Sequence, residues 1–316
     1  MVTSNFILSA SLPFSRNIFV LLILTALLFS CREDDTTKAD DKEYNCINTN
    51  HSGYTTIVHE GVTREYILYL PTSYESNTPS PLIINFHGYG GCASNFSSEV
   101  GDLNSLADSE NFIIAYPQAV VGEKGDVYWN PEDNGIQNIE ENDIFFTEQL
   151  IEDISNKYTV NSSQVYATGY SNGGMMSYGL ACSKGDLIAA IGIMSGIMLE
   201  QTCDVKEYTS IIHFHSTSDN VLPYDGNQDY QSVSDVVNFW LSHNGIPVFN
   251  LATIEFNDGD MVRKSYTGGN ENTSVVLYTD YEEQGKGGHV WFNGAIDGNS
   301  PNQILWDFLS SYSLND

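Results

Sequence analysis

The order of apolar and polar positions divides the chain into a leader, a charged stretch and a long alternation of strands and helices. Ile18 to Phe29 is almost wholly apolar, yet it is too short to span a bilayer comfortably and follows a single charge, Arg16, so it reads as the hydrophobic core of a signal peptide. Arg32 to Glu43 has no apolar periodicity and reads as a solvated tether. Thr55 to His59 and Arg64 to Leu70 are β-rich runs around Glu60 and Gly61, the pattern of a hairpin. Pro81 to His87 and Asn111 to Tyr116 are short and nearly continuously apolar, as strands covered on both faces of a parallel sheet are. A helix is expected between them, near Gly101 to Ser109.

The alternation continues downstream. Asp143 to Tyr158 places Ile144, Ile151, Ile154 and Tyr158 on one helical face, with Asp143 at the N-cap. Gln164 to Thr168, Ala189 to Met194 and Ser210 to His215 read as strands, with a helix over Asn172 to Cys182. Further strands are expected at Val262 to Tyr266 and Ser274 to Thr279, and a last helix is capped by Ser300, begun by Pro301 and directed toward Tyr312. Strand after helix after strand specifies an α/β protein with a mostly parallel central sheet flanked by helices. With no repeat and no linker after Tyr54, the organisation expected is a leader (1–30), a tether (31–53) and one globular domain (54–316).

Charge narrows the function. Asp and Glu number 41 against 12 Lys and Arg, a formal charge of −29, so a nucleic acid would meet strong repulsion. The leader closes on Leu28, Phe29, Ser30 and Cys31, which resembles the lipobox of bacterial lipoproteins, with Cys31 as the lipidated new N-terminus. Acidic residues just after it resemble a surface-export signal. The expected location is therefore extracytoplasmic: an outer-membrane lipoprotein at the cell surface, held by its lipid, or a secreted protein. The remaining cysteines, Cys46, Cys92, Cys182 and Cys203, form an even set that allows two disulfides in three connectivities. No cysteine or histidine spacing suggests a metal site, and no cofactor motif is present.

The chemistry is concentrated at Gly169-Tyr170-Ser171-Asn172-Gly173, where a strand passes into a helix. In that setting G-x-S-x-G is a nucleophile elbow, a sharp turn that small residues two before and two after the serine make possible. The serine needs a base to take its proton, and on this fold an acid and then a histidine should follow in chain order. His289, in a glycine-rich loop after the last expected strand, is the candidate base, and Asp219, directly after the strand ending near His215, is the orienting acid. Asp225, Asp229 and Asp280 are weaker acid candidates, and His213 and His215 are expected to pack or hydrogen-bond. The oxyanion hole would use the amide of Asn172 and one from the loop His87-Gly88-Tyr89-Gly90-Gly91, with Tyr89 preferred and Gly88 as the alternative. His87 reads as a hydrogen-bonding strut.

From about Arg64 to Tyr312 the chain resembles the polyhydroxybutyrate depolymerase and feruloyl esterase group of secreted α/β-hydrolases, similar to carbohydrate esterase family one. The resemblance rests on His87 to Gly91, Tyr116-Pro117-Gln118, Trp129-Asn130, Asp143 to Phe146, Gly169 to Gly174, Leu180-Ala181-Cys182 and Gly288 to Trp291, in that order. It implies an α/β-hydrolase fold, catalytic roles for Ser171, Asp219 and His289, a position near the site for Trp129, and pairing of Cys182 with Cys203, which leaves Cys46 and Cys92. Two departures stand out: Ser216 where the pattern has glycine in His-Gly-Thr-x-Asp, and Phe292 where proline often follows the tryptophan.

The expected activity is a serine esterase cleaving feruloyl or acetyl esters of plant polysaccharides through an acyl-enzyme, without cofactor. Its partners are small or polysaccharide-linked esters, with Tyr89, Trp129 and Trp291 on the cleft rim as flat faces for a phenolic ring or a sugar. Polyester depolymerisation, a serine peptidase on the same fold and a non-catalytic glycan-binding lipoprotein are the alternatives. Because the chain stops at Asp316 with no further module, small aryl or carbohydrate-linked esters are expected over insoluble polyester.

Overall fold

The central sheet is built from strands that cannot face water. In the computed structural model, which describes residues 53–122, 125–131, 143–199, 203, 207–256, 259–281 and 288–314, every residue of β4 (Ile113–Pro117), β6 (Ala190–Met194), β7 (Ser210–Ser216) and β10 (Val275–Asp280) is buried. Such strands need a neighbour on each side and a helix layer on each face. They obtain both in a ten-stranded sheet of order β1-β2-β4-β3-β5-β6-β7-β10-β9-β8. The central six, including β3 (Ser80–Phe86) and β5 (Val160–Tyr170), run parallel. The chain thus has the mostly parallel α/β architecture expected.

Antiparallel strands close the two edges. β1 (Thr55–His59) and β2 (Val62–Tyr69) form the expected hairpin, and its turn uses positive φ at Glu60 (50°) and Gly61 (85°), the twist that two-residue hairpin turns favour. At the far edge, β8 (Leu251–Phe256) pairs with β9 (Met261–Tyr266). β8 is largely exposed, so as an edge strand it carries no continuous apolar run to mark it in the sequence.

Helices α1 (Ala93–Asn95), α2 (Asn104–Glu110), α3 (Asp143–Lys157), α4 (Asn172–Ser183), α5 (Val233–His243) and α6 (Pro301–Leu309) complete the order. α5 was not anticipated from the sequence. Yet Val233, Val236, Val237, Trp240 and Leu241 are its buried residues, and Ser232 with Asp235 closes a capping box at its start, so both a helical stripe and a start signal were present. α6 starts where expected, with Ser300 accepting from the Gln303 amide and Pro301 in the first turn. Two core clusters cover the two faces of the sheet. One includes Ile84, Ile144, Met176 and Trp240, and the other Ile83, Tyr166, Phe214 and Trp306.

α4 is tied to the segment after β6 by a Cys182–Cys203 disulfide across 21 residues, the pairing that the resemblance implied. A loop of that length gives roughly 3 kcal/mol of unfolded-state restriction. Residues 1–52, and with them the expected leader, Cys31, Cys46 and nearly all of the tether, lie outside the described residues. Among those described, no helix is long and apolar enough to cross a membrane.

Candidate active site

The turn from β5 into α4 is enforced by the absence of two side chains. A Cβ on Gly169 would lie 2.2 Å from the Gly173 carbonyl oxygen, and one on Gly173 would lie 2.1 Å from that of Phe86. Glycine at both positions lets strand and helix meet this closely, and the residue between them is forced to φ 56°, ψ −119° at Ser171. A non-glycine residue with positive φ in so tight a turn is strained, and strain of this kind gathers at functional sites. Ser171 is held there by its amide, which donates to the Met194 carbonyl at 3.0 Å.

The geometry brings together residues far apart in sequence. His289 Nε2 lies 2.6 Å from Ser171 Oγ, and His289 Nδ1 lies 2.9 Å from Asp219 Oδ2. Asp219 Oδ1 accepts from the Val221 and Leu222 amides, each at 2.9 Å. Burial pushes the Asp219 carboxyl up, but the hydrogen bonds from His289 and these two amides outweigh it and hold the group below the usual carboxylate range. The carboxylate is thus ionised at neutral pH, with one oxygen fixed by the main chain and the other turned to the imidazole.

The loop carrying His289 is pinned from two sides that the sequence did not reveal. Tyr170 donates to the His289 carbonyl at 2.7 Å, and burial, with the nearby Asp219 charge, pushes its phenol up to about 12, so it remains a donor. Ser195, at φ 49° just after β6, donates to the Val290 carbonyl at 2.7 Å and accepts from the Val290 amide at 3.3 Å. All these groups stand at the C-terminal ends of parallel strands, where open α/β sheets place their ligands.

The glycine-rich loop after β3 sits against the elbow. A Cβ on Gly88 would meet the Tyr170 ring at 3.0 Å and the Ser171 Cβ at 3.3 Å. The Gly90 amide donates to the Val127 carbonyl and the Gly91 amide to the Gly88 carbonyl, while Tyr89 is 59% exposed. His87 is the expected strut. Its Nδ1 donates to the Gly88 carbonyl, its Nε2 accepts from the Ala119 amide, and burial lowers its pKa to about 4, which keeps it neutral.

The two tryptophans occupy places other than the rim. Trp129 is fully buried: its indole Nε1 donates to the His87 carbonyl at 2.9 Å, its amide donates to Asn172 Oδ1, and its carbonyl accepts from Asn172 Nδ2. It lies beside the site, as the resemblance implied, but as a brace between the glycine loop and the elbow. Trp291 is 7% exposed, with Nε1 bonded to Asn302 and its ring edge-on to Phe96. Both are buried, so neither forms an exposed rim of the cleft. An aromatic pair beside the glycine loop is formed instead by exposed Tyr89 and half-buried Tyr128, stacked at 6.1 Å and 22°.

A parallel α/β sheet with a serine elbow and a histidine and carboxylate converging on its C-terminal edge defines the class of α/β-hydrolases, and the chain is a carboxylic ester hydrolase of that class. Residues 64–245 match the family described as Esterase PHB depolymerase, and the chain belongs to this family. It is 26% identical over 259 residues to a probable feruloyl esterase C of Aspergillus niger, covering 80% of this chain and 86% of that one. It is also 27% identical over 263 residues to the bifunctional acetylxylan esterase/xylanase XynS20E of Neocallimastix patriciarum, covering 81% of this chain and 34% of the relative. Among solved structures, the acetyl xylan esterase from Aspergillus awamori shares the fold with a TM-score of 0.56 at 15% identity, over 75% of this chain and 94% of that one.

Proposed function

We propose that the chain hydrolyses feruloyl or acetyl esters linked to plant polysaccharides, with Ser171 as nucleophile, His289 as general base and acid, and Asp219 as orienting acid. The observation that carries this reading is the unbroken line from Ser171 Oγ through His289 to Asp219 Oδ2. Asp219 holds the proton of His289 on Nδ1, which leaves Nε2 free to accept the serine proton as Oγ attacks the ester carbonyl. The amides of Asn172 and Tyr89 are the proposed donors to the resulting oxyanion. The imidazolium then protonates the departing alkoxide, and the same base activates water against the acyl-enzyme.

The stacked Tyr89 and Tyr128 supply the flat surface for a phenolic acyl group or a sugar ring. Tyr89→Ala keeps its main-chain amide, so it should leave kcat near wild type while raising KM for methyl ferulate roughly 2- to 12-fold, from the about 0.5–1.5 kcal/mol of an aromatic contact. KM for p-nitrophenyl acetate, which has little acyl surface, should change far less. Equal losses on the two esters would remove this role. Comparing methyl ferulate, acetylated xylan and polyhydroxybutyrate film tests the substrate class, and preferential attack on the film would favour a polyester depolymerase.

The leader supports a place for the enzyme outside the cytoplasm, with Cys31 lipidated and residues 32–43 as its tether. Cys31→Ser should move the enzyme from the membrane fraction to the soluble one. Unchanged fractionation without lipid labelling of the wild type would exclude the anchor.

A further inference from the structure

Behind the proposed triad lies a second row of hydrogen-bonding groups that the mechanism does not use. Tyr178 on α4 contacts His213 Nδ1 through its hydroxyl at 2.9 Å. His213 Nε2 lies 3.0 Å from His215 Nδ1, two residues along β7. His215 Nε2 lies 2.8 Å from the Leu222 carbonyl oxygen and 3.4 Å from Asp219 Oδ2. Tyr178 and His213 are 1% exposed and His215 is fully buried, so the row is shut off from bulk solvent.

The proton positions follow from one end of this row. A carbonyl oxygen only accepts, so His215 must carry hydrogen on Nε2 to bond Leu222. Burial lowers the pKa of both imidazoles, and for His213 the neighbouring His215 adds to it, so each ring is neutral with a single N–H. His215 Nδ1 is therefore an acceptor, His213 must donate from Nε2, and His213 Nδ1 must accept from the Tyr178 hydroxyl. The Gly196 carbonyl is a further acceptor beside both imidazoles, and along the row the donors run from Tyr178 through His213 to His215, whose own N–H goes to the Leu222 carbonyl next to Asp219.

We infer that Tyr178, His213 and His215 form a one-way hydrogen-bond chain that makes His215 a positioning residue for Asp219. His215 Nε2–H clamps the Leu222 carbonyl, and the amide of that same residue, with the amide of Val221, fixes Asp219 Oδ1. The same N–H lies on the side of Oδ2, the oxygen that faces His289. The carboxylate is thereby prevented from rotating about its own bond when His289 becomes positively charged. This inference rests on the triad reading. It concerns the support of the acid, not the identity of the nucleophile.

The test begins with the wild-type protein. Nitrogen-15 NMR of the full chain at neutral pH should show both His213 and His215 as neutral Nε2–H tautomers. An Nδ1–H tautomer or an imidazolium at either residue would overturn the inference whether or not any variant folds. In kinetics, His215→Leu should lower kcat on the order of 10²-fold, the scale of a misplaced catalytic group, with KM little changed. His215→Gln, whose amide can again donate to Leu222, should recover most of that loss. Wild-type kcat in His215→Leu, or no difference between the leucine and glutamine variants, would reject the positioning role. Phosphonylation of wild-type Ser171 by a fluorophosphonate separates the two readings. Labelling with normal His215→Leu turnover rejects only the chain, whereas no labelling of Ser171 rejects the triad beneath it.

Discussion

Ser171→Ala is expected to reduce ester turnover by a factor on the order of 10⁴ to 10⁶ while the protein stays folded. The Ser171 hydroxyl bonds His289 Nε2, and the elbow is held by main-chain contacts, so the alanine variant removes the proposed nucleophile without disturbing the turn. His289→Ala should be about as severe. Asp219→Asn is the more informative change, because Oδ1 accepts from two main-chain amides. Those donors would keep the asparagine oxygen in place and turn its NH₂ toward His289 Nδ1. The imidazole would then be held with its proton on Nε2, facing the serine as a donor when it must accept, and turnover should fall by about 10⁴. Double variants should lose little more than the worse single one, since in the proposed mechanism the three groups serve one proton transfer. Steady-state kinetics with p-nitrophenyl acetate measures all of this. Substantial turnover in Ser171→Ala would move the nucleophile elsewhere.

Asp143→Ala is expected to destabilise the fold by about 3–5 kcal/mol, the cost of removing one member of a buried ion pair. Asp143 and Arg64 both have fully buried side chains, and Arg64 donates to Asp143 Oδ1 at 2.7 Å. The guanidinium also lies 3.7 Å from the Phe146 ring centre, and Asp143 Oδ2 accepts from the Asn130 amide at 2.7 Å. One carboxylate thus joins β2, the start of α3 and the segment that carries Trp129, so its loss should loosen the brace beside Ser171 as well as the core. Denaturant titration should show a lower midpoint with an unchanged slope. Replacing both partners, as Arg64→Met with Asp143→Leu, should recover much of the stability, because apolar side chains then fill the site in place of two desolvated charges. A loss below about 1 kcal/mol in the single variant would mean that Arg64 is compensated from another direction.

Most of the frame of the site was legible before any coordinates. The glycines at 169 and 173 announce an elbow because the clash of Gly169 against the Gly173 carbonyl is local, set by backbone four residues away, whereas the clash that Gly173 avoids with Phe86 belongs to the neighbouring strand. The chain order of Ser171, Asp219 and His289 was readable for a related reason. On a parallel sheet each of them must leave the end of a strand, and those strands are marked by their apolar runs. α5 carries its own apolar stripe and capping box, so this helix too is written in the sequence.

What lay beyond the sequence was the surroundings of each side chain. Tyr128 and Trp129 are adjacent, yet one stacks with exposed Tyr89 while the other is sealed beneath the glycine loop. Aromatic character favours contact with something flat but leaves open whether that partner is substrate or protein. Arg64 and Asp143 are 79 residues apart, and nothing in either segment names the other. The donor direction of His215 depends on the Leu222 carbonyl seven residues on, and the row behind it ends at a tyrosine on α4. Spacing and steric demand act within a few residues and so are written in the chain itself. Burial, charge pairing and proton placement are set by segments that meet only when the sheet closes, and the tertiary structure alone decides them.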